Sequence, residues 1–232
     1  MPRPTIPLDE LIAHIFGADS SLAAEVGPWL DRSPRSRAFA ETYRDKIRKK
    51  ARGRHDHEGQ RDLVFELAVA FRLLEEPRFA LEYEPYGVGQ RAPDFRVTFR
   101  SRVRFNVEVR RLRPQATPDA PADQARLIRA VCDKLGQFPP AMINVLVFGA
   151  DGPSSAADAL APAMRQLQER AADKDEALFQ RRGFNGVRDF LRHYQRLSGV
   201  LWLAGERGPQ AILWRNPQAR HPLPADLARA LT

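Results

Sequence analysis

Residues 91–113, RAPDFRVTFRSRVRFNVEVRRLR, carry two runs of strict apolar and polar alternation joined by a short polar turn. Phe95, Val97 and Phe99 alternate with Asp94, Arg96 and Thr98; Val103, Phe105, Val107 and Val109 alternate with Arg104, Asn106, Glu108 and Arg110. Successive side chains on a strand point to opposite faces, so each run predicts a strand with one buried and one polar face. With the turn centred on Ser101, Phe99 pairs with Val103, Val97 with Phe105 and Phe95 with Val107. A slip of one residue would turn the whole apolar set of one strand to the wrong face. The same register sets Asp94 opposite Glu108, and like charges whose Cβ atoms stand about 4.5–5.5 Å apart destabilise a strand pair unless a positive group comes between them. Two arrangements would relieve that repulsion. The polar face is solvated and Glu108 pairs with a neighbouring arginine, or carboxylate oxygens hold a divalent metal whose shell is completed by water and substrate phosphate, as Mg²⁺ prefers. Arg110 lies two residues beyond Glu108 and shares its face.

A third carboxylate stands upstream. Gln60 to Leu74, QRDLVFELAVAFRLL, repeats Leu63, Leu67, Ala70 and Leu74 at helical spacing, which predicts an amphipathic helix with Glu66 on or beside its apolar stripe. An unpaired buried carboxylate is costly and takes up a proton, so Glu66 either sits at the edge of the stripe, pairs with an arginine, or belongs with the other two acids.

A helix bearing Glu66, a strand at Phe79 to Tyr83, a strand opening on Pro93-Asp94, a strand bearing Glu108-Val109-Arg110, a helix from about Ala122 to Gln137 and a strand from Ala141 to Phe148 together resemble the PD-(D/E)XK nuclease superfamily, the restriction-endonuclease-like fold. The resemblance covers roughly Glu58 to Gly149 and rests on element order and a few residues. It implies an α/β protein with an αβββαβ core and a mixed central sheet flanked by helices. It also implies that Asp94 and Glu108 bind Mg²⁺ or Mn²⁺, that the main-chain carbonyl of Val109 is a further ligand, and that Glu66 matches the glutamate many members supply from the first helix. With Arg110, these acids form the candidate catalytic set of a nuclease acting on DNA. The family carries lysine where this chain has Arg110. Arginine keeps its proton at any working pH, so Arg110 is no general base, though its guanidinium can hold a phosphate and stabilise developing charge. A metal would then activate the attacking water. Lys134, on the following helix, is a second place for the missing amine. The alternative is a degenerate site, leaving a nucleic-acid-binding or assembly module.

The remaining sequence fits a polyanionic partner. The 232 residues, 43% hydrophobic, suffice for one sizeable core, divided here into a basic helical N-terminal extension (1–55) and an α/β domain (56–232). The formal charge of +8 favours nucleic acid, with DNA first. Basic residues concentrate between Arg32 and Arg54, and on a helix over Ala38 to Ala51, Arg44, Arg48 and Arg52 recur every four residues, with Lys49 and Lys50 between them. Such an arm would follow a phosphate backbone, giving affinity without sequence specificity; the alternative is a solvated helix. Cys132 is the single cysteine, which excludes an intrachain disulfide and, with no signal-peptide pattern and no run near the roughly 18 apolar residues of a membrane helix, points to the cytoplasm without a membrane partner. His55 and His57 flank Asp56 but lack zinc-site spacing. No nucleophile elbow, P-loop or dinucleotide fingerprint is present. A homodimer with two symmetric sites is compatible with the sequence, although no heptad marks an interface.

Overall fold

The computed structural model describes residues 5–17, 20–54, 56–87, 92–113, 120–150, 156–204 and 211–232. In chain order these form α1 (Leu8–Phe16), α2 (Ser21–Arg32), α3 (Pro34–Thr42), α4 (Arg44–Arg52), α5 (His57–Glu75), β1 (Phe79–Tyr83), β2 (Phe95–Phe99), β3 (Val103–Leu112), α6 (Ala120–Leu135), β4 (Ile143–Ala150), α7 (Ala156–Ala172), α8 (Glu176–Arg181), α9 (Val187–Tyr194), β5 (Gly199–Ala204), β6 (Ala211–Arg215) and α10 (Ala225–Leu231). The chain is an α/β protein with one mixed six-stranded sheet in the order β1-β2-β3-β4-β5-β6. β1, β2 and β3 are an antiparallel meander, β4 and β5 add in parallel, and β6 returns antiparallel.

The hairpin has the register that its alternation demands, with Phe95 on Val107, Val97 on Phe105 and Phe99 on Val103. Its turn needs left-handed backbone, which Arg100 and Ser101 adopt at φ 49° and 57°. β4 is the nearly continuous apolar strand, and its alternate residues feed two cores. Val145 and Val147 join a core built with Leu11, Leu22, Phe39, Ile47 and Leu67 from α1 to α5 and Leu227 from α10. Leu146 and Phe148 join a second one with Leu127, Met164, Phe179 and Phe190 from α6 to α9. The sheet is thus the middle of three layers, and the N-terminal helices share a core with α5 and the strands.

Residues 38–51, expected as one helix, are two. Ser33 caps α3 by accepting from the Ser36 amide at 3.2 Å, and Pro34 occupies the first turn, where its missing N–H costs nothing. The break falls at Tyr43, whose ring packs on Phe39 with centroids 4.9 Å apart. The bend lets α3 bury Phe39 while α4 buries Ile47 and turns its basic side toward β1.

Gly149 lies where β4 passes α5. A Cβ there would overlap the ring of Phe65 and meet the Leu203 carbonyl at 3.3 Å. Gly149→Ala is expected to lower stability by about 1–3 kcal/mol through overpacking. Urea unfolding measures this, and an unchanged midpoint would contradict it.

Candidate active site

β2 and β3 part at Asp94. Their ladder ends at Phe95 and Val107, because Pro93 has no N–H with which to continue it, while β3 runs on to Leu112 beside β4 alone. The Val109 amide faces the edge so opened and donates to Asp94 Oδ2 at 2.8 Å. The amide and carbonyl of one residue leave an extended strand on the same edge, so the Val109 carbonyl also points into the fork. The Asp94 carbonyl accepts from the Glu84 amide at 2.8 Å, which holds the end of β1 against the start of β2.

Glu66 reaches this fork from α5. It is 4% exposed, accepts from the Tyr83 hydroxyl at 2.7 Å and from Lys50 Nζ at 2.5 Å, and has an Arg54 guanidinium nitrogen 3.6 Å from its second oxygen. Lys50 Nζ also lies 3.3 Å from Glu84 and 3.7 Å from Asp94, and 5.3 Å from the centre of the Tyr83 ring. On the other side Glu108, 2% exposed, is ion-paired with Lys134 from α6. Four carboxylates are therefore interleaved with lysines from two different helices.

Burial, followed by the charges of Glu66 and Glu108, pushes the Asp94 carboxyl well above its ordinary range. Burial also raises Glu108, although Lys134 pulls it back. Burial would lower Lys50, but the charges of Glu66, Asp94 and Glu84 hold its ammonium above the usual value. Burial and the neighbouring Glu66 push the Tyr83 phenol far up, so it remains a donor. At Asp94, burial and the neighbouring carboxylates together thus outweigh the pull of Lys50 and of the Val109 amide.

Arg110 is exposed at the rim, and no ion pair joins it to the fork carboxylates among the described residues. Its neighbour Arg111 is the buried one. Its side chain is fully enclosed and donates through Nε to Asp62 at 2.9 Å and through Nη2 to Glu58 at 2.5 Å. Glu58, Asp62 and Glu66 are spaced four apart on α5 and form one acidic stripe along the open edge of β3, of which the sequence reading singled out only Glu66. Arg111 carried a signal: it continues the core-facing series Phe105, Val107, Val109, where an arginine requires carboxylates.

The expected phosphate-binding arm is divided. Lys49 and Arg52 are exposed, and Arg44 is 43% exposed beside Asp45, as a surface arm requires. Arg48 is half-buried. Lys50, assigned to that arm from the sequence, instead turns into the carboxylates. Lys46, one turn earlier, donates to the carbonyls of Tyr83 and Glu84 at 2.9 and 3.2 Å. Lys46, Lys50 and Arg54 therefore form a cationic row facing the end of β1 and the fork.

No group of three or more His, Cys, Asp and Glu side chains among the described residues is gathered as a metal cage. The donors the fork offers are carboxylate oxygens, those of Asp94 and Glu108 facing Lys50 and Lys134, and a main-chain carbonyl. This is a hard, all-oxygen set suited to Mg²⁺ or Mn²⁺, which take one or two carboxylates with water and substrate phosphate. A cation there would offset the burial and like-charge cost of ionising Asp94. His57 is 82% exposed, and His55 lies outside the described residues. Cys132 is buried and its thiol is pushed up to about 12 by that burial, so it is not a nucleophile. A cavity of about 800 Å³ lined by α7 to α9, including Lys174, Arg188 and Arg192, contains none of the fork residues.

Fold and site together define an α/β protein with a buried carboxylate and lysine cluster where two strands of a mixed sheet part. No protein-family model, no curated protein and no solved structure matches the chain. No helix among the described residues is long and apolar enough to cross a membrane.

Proposed function

We propose that the chain is a metal-dependent nuclease that hydrolyses phosphodiester bonds in DNA, on a restriction-endonuclease-like core. The observation that carries this reading is the strand fork itself, where the buried Asp94 carboxylate is bonded to the Val109 amide beside Glu66 and Glu108. The run α5-β1-β2-β3-α6-β4 has the αβββαβ order of that core and supports the same assignment.

Asp94, Glu108 and the Val109 carbonyl would hold Mg²⁺ or Mn²⁺, with Glu66 orienting the site. The metal, when bound, supplies Lewis-acid polarisation of the phosphate and acidifies the attacking water. The chain's own residues do the rest. Tyr83 fixes the Glu66 carboxylate from below, and the Val109 amide fixes that of Asp94, so neither needs to reorganise when charge develops. Lys134, ion-paired with Glu108, brings an ammonium that the family carries on the strand at position 110. Arg110 at the rim would hold a phosphate of the incoming strand, and Lys49, Arg52 and Arg44 would follow the backbone further out.

The test is cleavage of supercoiled plasmid and of single-stranded DNA with Mg²⁺ or Mn²⁺ by wild type, Glu108→Ala and Arg110→Lys. Cleavage lost in Glu108→Ala and retained or raised in Arg110→Lys is expected. Binding should also weaken steeply with salt, and Lys49→Ala with Arg52→Ala should reduce the slope of log K against log salt by about two, one for each phosphate contact. Salt-sensitive binding without cleavage by any of the three proteins would leave a binding module in place of an enzyme.

A further inference from the structure

Resting on the nuclease reading, we infer that Lys50 is a catalytic residue: its ammonium contacts the scissile phosphate beside Asp94, so the N-terminal helices are part of the active site. The inference starts from where α4 puts this side chain. Lys50 is 19% exposed and its nitrogen is within 3.7 Å of three carboxylates, Glu66, Glu84 and Asp94. Neutralising Glu66 alone would require one cation, and Arg54 already stands 3.6 Å from its other oxygen. Lys50 instead sits between the acid of α5 and the acid of the fork, the two groups assigned to the metal and its orientation.

The position is fixed from several directions. Lys46 pins α4 to the end of β1 through the carbonyls of Tyr83 and Glu84, Ile47 is buried in the core, and the Tyr83 ring lies against the Lys50 nitrogen. A lysine held this way has little freedom left to lose when substrate arrives, which is the condition for electrostatic preorganisation. The other candidates for the charge are placed differently. Lys134 is committed to Glu108 on the α6 side, and Arg110 is exposed at the rim. In hydrolysis a water oxygen bonds to phosphorus and the bond from phosphorus to the leaving ester oxygen breaks, with one proton lost from the water and one gained by the departing oxygen. Lys50 keeps its own proton throughout. It stabilises the negative charge that builds on the non-bridging oxygens while that exchange takes place.

Steady-state cleavage, Mn²⁺ titration calorimetry and thermal unfolding of wild type, Lys50→Met, Lys50→Arg and Asp94→Asn test this. Lys50→Met is expected to lose about 100-fold in kcat, with KM and the Mn²⁺ Kd within about threefold of wild type. Lys50→Arg keeps the charge but replaces a point cation with a planar fork, and is expected to lose about tenfold in kcat while unfolding at the wild-type temperature. Should Lys50→Met fail to fold, Lys50→Arg decides alone. A folded Lys50 variant with wild-type kcat, where Asp94→Asn is inactive, overturns the role of Lys50 and leaves the nuclease reading standing. A wild type that binds Mn²⁺ and DNA but never cleaves overturns both.

Discussion

Asp94→Asn is expected to reduce metal-dependent cleavage by about 10²–10³-fold and, in the same protein, to raise the melting temperature measured without divalent metal. The first effect follows from the charge stabilisation a metal supplies, several kcal/mol, at about 1.4 kcal/mol per tenfold in rate. The second follows from linkage. Burial and the charges of Glu66 and Glu108 raise the Asp94 carboxyl well above its unfolded value of 3.8. A carboxyl raised on folding contributes stability that is complete below the unfolded pKa and is lost as pH rises through the folded one. Above the unfolded pKa, holding Asp94 in the fork therefore opposes folding. Asparagine stays neutral and its carbonyl can still accept from the Val109 amide. Scanning fluorimetry from acid to neutral pH should show the wild type losing ground to Asp94→Asn as pH rises, with the two converging in acid. Mg²⁺ or Mn²⁺ should then stabilise the wild type and leave the variant unmoved, since a ligand stabilises only the state that binds it. A variant less stable than wild type at neutral pH without metal would contradict the electrostatic picture of the fork.

Arg111→Met carries the largest expected loss of stability. The guanidinium is wholly enclosed and bridges Asp62 and Glu58, tying the first turns of α5 to the end of β3, three residues beyond Glu108. Breaking a buried charge pair by removing one partner costs several kcal/mol. Glu58 and Asp62 are partly exposed and keep Arg113 at 3.4 Å, which limits the damage. The expected loss is about 2–4 kcal/mol, or about 5–12 °C in Tm for a chain of this size. Arg111→Lys should fall between, because one ammonium cannot span both carboxylates. Chemical unfolding decides it, and a loss below about 1 kcal/mol would mean that the clamp contributes little to the placement of β3.

The hairpin could be read from the sequence because two independent signals agree. Period-two alternation on both arms and a turn centred on Ser101 leave one register that keeps Phe95, Val97, Phe105 and Val107 on one face. Glu66 could be flagged because it interrupts an apolar stripe. What it pairs with could not, since Lys50 is one of many cations in a run where helical spacing alone favours the Arg44, Arg48, Arg52 row as readily as Lys46, Lys50, Arg54. The choice depends on the bend at Tyr43 and on how Ile47 docks in the core, which is tertiary information. Arg111 was masked differently. Arg110 shares a face with Glu108, whereas Arg111 falls in the apolar series, where alternation predicts a hydrophobe. Glu84 lies just past β1, where neither period applies, and it is tertiary contacts, its backbone bond to Asp94 and its ion pair with Lys50, that bring it to the fork.

The most direct test of the account is a plasmid-nicking assay in which folded wild-type protein meets supercoiled DNA with Mn²⁺, with Mn²⁺ and excess chelator, and with Asp94→Asn in place of wild type. The account predicts nicked or linear DNA in the first case and intact supercoils in the other two. Intact DNA in all three, with Mn²⁺ bound and DNA bound, would contradict it, as would cleavage that continues in the presence of chelator.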